Sequence, residues 1–230
     1  MRRGVEINKI VTALLLAVFM GAMPLYFLMA GTTFTIVFAD PSIFFVFGLV
    51  MLLSYNLLYI TWFVSGEAIT VLATLPFSQK DLSRISVLSF LRLLDIPLVV
   101  FIVAYPLVFG LATGSLFGLV VITLLNVVNA TIAVFLTFFI ARGFYRRIVS
   151  LGGSKAKSAL RIVLMLIYGL GTFGVFYFIG YIMAWAVQII PIFAIIAKPE
   201  YSWVLLIYPF SFGYLTTLAT SVSPSSILIS

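Results

Sequence analysis

Between Asp95 and Arg142 the chain contains no aspartate, glutamate, lysine or arginine. A helix rises about 1.5 Å per residue, so about 20 residues cross a hydrocarbon core roughly 30 Å thick. The run 96–141 is long enough for two crossings, and Thr113-Gly114-Ser115 divides it as a tight turn of small residues would. Further charge-free runs cover 10–39, 41–66 and 162–197. Together they predict an all-α polytopic membrane bundle, one transmembrane domain over 1–230. Its six spans fall at 10–30, 43–64, 94–112, 116–141, 162–187 and 203–220. Gln188 and Pro191 predict a break at the end of the fifth. The sixth is short and holds Pro209 and Gly213, so it also admits a pair of short helices dipping into the outer leaflet; a full span is adopted here.

Composition agrees with lipid as the main solvent. Charged residues make up 8% of the chain and hydrophobic ones 64%, where a soluble domain carries about 25% charged residues. The formal net charge of +7 does not call for a nucleic-acid partner, because the basic residues fall on one side of the predicted spans. Arg2, Arg3 and Lys9 precede the first, and Lys80, Arg84 and Arg92 lie between the second and third. Arg142, Arg146, Arg147, Lys155, Lys157 and Arg161 lie between the fourth and fifth, leaving Lys198 alone of the 13 opposite. Excess Lys and Arg marks the cytoplasmic side. The N-terminus and the loops 65–93 and 142–161 are therefore expected in the cytoplasm. Asp40, Lys198 and Glu200 fall in short outer loops.

Cysteine and histidine are both absent. That excludes thiolate nucleophiles, disulfides, imidazole bases and His- or Cys-ligated metals. Asp81 and Asp95 have no matching acid or histidine to make an intramembrane protease or lipid-phosphate transferase, so no enzyme site, cofactor or metal is expected.

Polar residues inside predicted spans are few: Asn56 in the second, and Thr123, Asn126 and Asn129 in the fourth. Asn126 and Asn129 are three apart and share a helix face. Interhelical hydrogen bonding, worth on the order of 0.6 kcal/mol per contact, is the first reading of this set, and the lining of a substrate path is the second. With no acid or base in the middle of any predicted span, a proton- or sodium-driven carrier is not expected. Gly169, Gly171, Gly174 and Gly180 give the fifth span small-residue surfaces suited to close helix packing.

The stretch 67–97 is too apolar for a solvated loop and too charged for a span. Pro76 interrupts it, and Ser78 stands three residues before Asp81, a capping-box pattern that predicts a new helix from Gln79. Leu82, Ile85, Leu88 and Phe90 are apolar while Lys80, Asp81, Ser83, Arg84 and Ser86 are polar, which suits a helix lying on the membrane surface. Glu67-Ala-Ile-Thr-Val-Leu-Ala-Thr-Leu-Pro-Phe-Ser-Gln-Lys-Asp-Leu resembles the first cytoplasmic loop of ABC-2-type transporter permeases. There an acidic residue precedes a Leu-rich stretch, a Thr/Ser-Leu-Pro-apolar-Ser turn and a charged helix. Tyr208-Pro209-Phe210 resembles that family's outer Pro-Phe element before its last span.

The resemblance implies an interfacial coupling helix between spans two and three that docks on separate ABC ATPase subunits. It implies that Glu67, Thr74, Leu75, Pro76, Phe77, Ser78, Lys80, Asp81 and Arg84 face the ATPase. It further implies a permease subunit, an exporter in the plasma or inner membrane of a prokaryotic cell, that hydrolyses no ATP itself and works with a second permease half in a homo- or heterodimer. The basic loop with Gly152-Gly153-Ser154 is expected to meet anionic membrane lipids, or else the ATPase. The Ser-Pro-Ser-Ser-Ile-Leu-Ile-Ser end, with no basic stop, suggests a truncated product or the first half of a longer permease. The alternative to a permease is a polytopic membrane protein not linked to ATP: a channel, an assembly factor or, lowest in order, an intramembrane enzyme.

Overall fold

The computed structural model describes residues 2–29, 33–65, 78–150, 181 and 188–221. Among them every regular element is helical: α1 (Arg2–Met29), α2 (Phe34–Ser65), α3 (Gln79–Thr113), α4 (Leu116–Ser150), α5 (Gln188–Ile196), a 3-10 helix (Pro199–Leu206) and α6 (Phe210–Ser221). Four apolar stretches within the first four helices are long enough to cross a membrane: Lys9–Tyr26, Phe34–Asn56, Leu94–Thr113 and Leu116–Ile140. These helices turn large apolar side chains outward, with Val18, Phe135 and Phe139 all about 70% exposed (71%, 70% and 71%), while Asn56, Asn126 and Asn129 are fully buried. Polar inside and apolar outside is the arrangement lipid demands, so we read the chain as a multi-pass membrane protein.

The predicted turn at Thr113-Gly114-Ser115 lies between α3 and α4. Gly114 takes a left-handed φ of 67°, and Ser115 Oγ accepts from the Gly118 N–H at 3.0 Å, capping α4. The stretch 203–220 is not one helix. The 3-10 helix ends at Leu206, the Tyr208–Pro209 peptide is cis, and α6 starts at Phe210. The axes of α5 and the 3-10 helix differ by 104°, a broken span or re-entrant pair. The predicted span 162–187 and its glycines lie outside the described residues, Tyr181 excepted.

Three expectations need correction. The second span begins at Phe34, not at 43, because Pro41 lies inside α2 instead of before it. Asp40, expected in an outer loop, is thereby carried into the apolar stretch. The amphipathic stretch after Ser78 is not a separate interfacial helix; α3 continues unbroken through Pro97 and Pro106 into the third apolar stretch. The first part of the expected loop 142–161 is also helical, since α4 runs on to Ser150.

The described residues belong to two compact units: Met1–Leu49, Ile96–Thr131 and Ile179–Ser230 in the first, Val50–Asp95 and Ile132–Phe178 in the second. The first unit's core is aromatic. Phe44 lies flat against Tyr105 (centroids 3.4 Å, planes 8° apart) and stacks on Phe101 at 5.8 Å. Phe101, Tyr105 and Phe109 repeat every four residues on one face of α3, and all are fully buried. A second cluster joins Phe38 and Ala39 of α2 to Phe193 of α5, with Leu205, Phe210 and Tyr214 around it. Gly213 lets α6 close on α2, since a Cβ there would land on Ser42 Oγ and lie 2.8 Å from the Phe38 carbonyl. In the second unit, Leu52 and Asn56 of α2 and Ala133 and Thr137 of α4 are all buried.

Candidate functional site

Pro106 has no N–H, so the carbonyl four residues earlier, at Ile102, lacks its helical donor. Asn126 supplies one. Its Nδ2 donates to the Ile102 carbonyl at 3.3 Å and to the Phe101 carbonyl at 2.9 Å. One turn along α4, Asn129 Nδ2 donates to the Phe45 carbonyl of α2 at 3.2 Å. The Tyr208 hydroxyl shares its proton between that carbonyl (2.7 Å) and Asn129 Oδ1 (2.9 Å). The two asparagines therefore tie α4 to both α2 and α3, and Tyr208 fastens the turn before α6 to the same point. Gly48 makes room for the join: a Cβ there would come within 2.7 Å of the Phe101 ring and 3.6 Å of Asn129 Nδ2.

Asn56 lies in the second unit and is not part of this group. Its Nδ2 donates to Thr137 Oγ1 at 3.2 Å, and that hydroxyl donates to the Ala133 carbonyl at 2.6 Å. Thr123 is half-buried and donates to the Leu119 carbonyl of its own helix at 2.7 Å. Asn126, Asn129 and Asn56 are each 0% exposed, so their amides serve helix joining in this conformation. The carbonyl oxygens of Asn56 and Asn126 are buried without a partner.

Sequence reasoning did not single out Tyr105, placed Asp40 in an outer loop, and took Tyr208 only as part of the Tyr208-Pro209-Phe210 motif. Asp40 lies six residues past Phe34, roughly 9 Å of helix rise into the apolar stretch. It is 0% exposed, and neither carboxyl oxygen has a hydrogen-bond partner. The polar side chain bearing on it is Tyr105 of α3, whose hydroxyl is also buried without a closed hydrogen bond. An acid therefore stands inside the second apolar stretch, nearer its start than its middle, where the sequence placed an outer loop. The signal was present: Asp40-Pro41 interrupts an apolar stretch that runs on both sides of it, and a hydropathy window opened at Phe34 tolerates one acid.

Of the residues expected to face an ATPase, Glu67, Thr74, Leu75, Pro76 and Phe77 lie outside the described residues. Ser78, Asp81 and Arg84 are exposed, and Lys80 lies in the first turn of α3. The predicted cap is present there. The Asp81 N–H donates to Ser78 Oγ at 3.2 Å, and the Ser78 hydroxyl donates to Asp81 Oδ2 at 2.5 Å. This settles the helix start at Gln79 locally, before any packing is considered. Arg92 and Asp95, three residues apart on α3, are both exposed. No protein-family model, no curated protein and no solved structure matches this chain.

Proposed function

We propose that this chain is the membrane-embedded permease component of an ATP-driven ABC transporter, an exporter of the ABC-2 type. In this reading its six spans leave the N-terminus in the cytoplasm, and it joins a second permease half and two ATPase subunits. The observation that carries the reading is the run Glu67 to Leu82 with the capped helix that follows it. Leu75 and Phe77 flank Pro76 in the sequence and offer two apolar side chains for docking, and Lys80, Asp81 and Arg84 supply charges to orient it. The unbroken course of α3 strengthens this. A push at Ser78 enters the first turn of a helix of 35 residues, with no loop to absorb it. The reading does not lean on an absence of intramembrane acids, since Asp40 is one.

Affinity purification from detergent-solubilised native membranes tests it, comparing wild type with the Leu75→Asp, Phe77→Asp double variant. An ATP-hydrolysing protein should accompany the wild type and be lost from the variant while both remain membrane-inserted. Wild-type protein that never brings an ATPase with it would remove the reading.

A further inference from the structure

Asp40 and Tyr105 place three polar atoms inside an apolar, aromatic unit, fully buried and none with a hydrogen-bond partner. A fourth acceptor is near in the chain. Pro41 has no N–H, so the Val37 carbonyl, one turn before Asp40 on α2, loses its helical donor. The group is thus rich in acceptors and short of positive charge. The Tyr105 proton is the one donor in it, and an ionised carboxylate only accepts.

Among the described residues, Tyr105 is the side chain that acts on the Asp40 carboxyl, and α5 and α6 bring no charge to this part of α2. On α3 the facing titratable group is Tyr105. On α6, Tyr214 packs edge-on against Phe38 at 6.4 Å, and α5 brings Phe193, Ile189, Ile190 and Ile196 to Phe38 and Ala39. An unpaired carboxylate in such surroundings is costly enough that buried acids are normally paired, metal-bound or neutralised.

We propose that Asp40 and Tyr105, with the Val37 carbonyl, form a buried binding site for one monovalent cation, a proton or an alkali-metal ion. A single positive charge balances a single carboxylate, whereas a divalent ion would leave net charge in the apolar core. An organic cation is disfavoured because Phe44 already lies flat against Tyr105 at 3.4 Å and both residues are fully buried. Occupied by a proton, the site closes as a chain: the Tyr105 O–H donates to one Asp40 oxygen and the protonated Asp40 O–H donates to the Val37 carbonyl. Occupied by a metal ion, the same oxygens become ligands. The carboxyl is fully buried, so exchange of the cation requires the helices packed around it to move. The site stands whether or not an ATPase drives the protein.

Infrared spectroscopy of the full chain in lipid separates the two occupants, with Asp40→Asn as the reference. A carboxylic-acid C=O band lost in Asp40→Asn identifies a proton. Carboxylate bands that shift on adding sodium, potassium or lithium chloride, but not choline chloride, identify a metal ion. Tyr105→Phe should shift whichever band is found, and it assigns the band to Asp40 if Asp40→Asn fails to fold. Carboxylate bands indifferent to every alkali cation, with no acid band, would overturn the proposal.

Discussion

Asn126 donates a hydrogen bond to the carbonyl of Ile102, the carbonyl that Pro106 leaves without a helical donor. In lipid no water stands ready to take that role, so a proline inside a membrane helix is tolerated only where a neighbour re-satisfies the freed group. The asparagine and the proline are therefore expected to behave as a pair. Asn126→Ala should destabilise the protein by about 1 kcal/mol. The same change should cost less in a Pro106→Ala background, where the residue 106 N–H again serves Ile102. Thermal unfolding of the four proteins of this cycle in one detergent checks it, and additive losses would contradict it.

Tyr208 bridges the turn before α6 to α2 and α4 through one hydroxyl. Tyr208→Phe keeps the ring, which packs edge-on against Phe212 at 5.3 Å, and removes only the oxygen. Asn129 Oδ1 then loses the Tyr208 donor while the Phe45 carbonyl keeps the Asn129 amide. We expect a loss of about 0.5–1.5 kcal/mol, with faster proteolysis of the exposed 3-10 helix than in wild type.

Two glycines should respond in opposite ways to a single methyl group. Gly213→Ala drives a Cβ onto Ser42 and the Phe38 carbonyl, so α6 must shift, and a cost of about 1–3 kcal/mol is expected. Gly21→Ala, in α1, meets Val108 of α3 among the described residues, at 3.5 Å, an ordinary contact. There the better helix propensity of alanine should leave stability unchanged or raise it by up to about 1 kcal/mol. Melting temperatures of the two variants, measured side by side, decide it.

Local chemistry was legible in the sequence wherever a few adjacent residues settle the backbone. Ser78 and Asp81 announce the start of α3, and Thr113-Gly114-Ser115 announces the turn into α4, because a cap or a left-handed glycine needs no distant partner. Asp40-Pro41 misled for the complementary reason. The pair breaks a helix in water, and what holds it inside α2 comes from far along the chain: the α3 aromatics, Phe193 and Gly213. Asn126 and Asn129 were found by type and spacing, but their partners were not, since they are backbone carbonyls that carry no sequence signal. Tyr208 was read only as part of a Tyr-Pro-Phe motif, because its role as a tie between helices is invisible until its hydroxyl is seen on the Phe45 carbonyl.

Ser78→Ala removes the N-cap acceptor of the Asp81 N–H. Loss of such a cap costs about 1 kcal/mol of helix-end stability. Amide exchange at Asp81 should accelerate severalfold, while exchange deep in α3, near Phe101, stays as in wild type.

Disulfide-independent crosslinking offers the most direct approach to the proposed coupling role, because the chain has no cysteine of its own. The variant Ser78→Cys, in native membranes and treated with a short thiol-to-amine reagent, should join to a nucleotide-binding protein, with a yield that differs between ATP and ADP. If maleimide labels Ser78→Cys freely and yet no nucleotide-binding protein is captured with either nucleotide, the permease reading is contradicted.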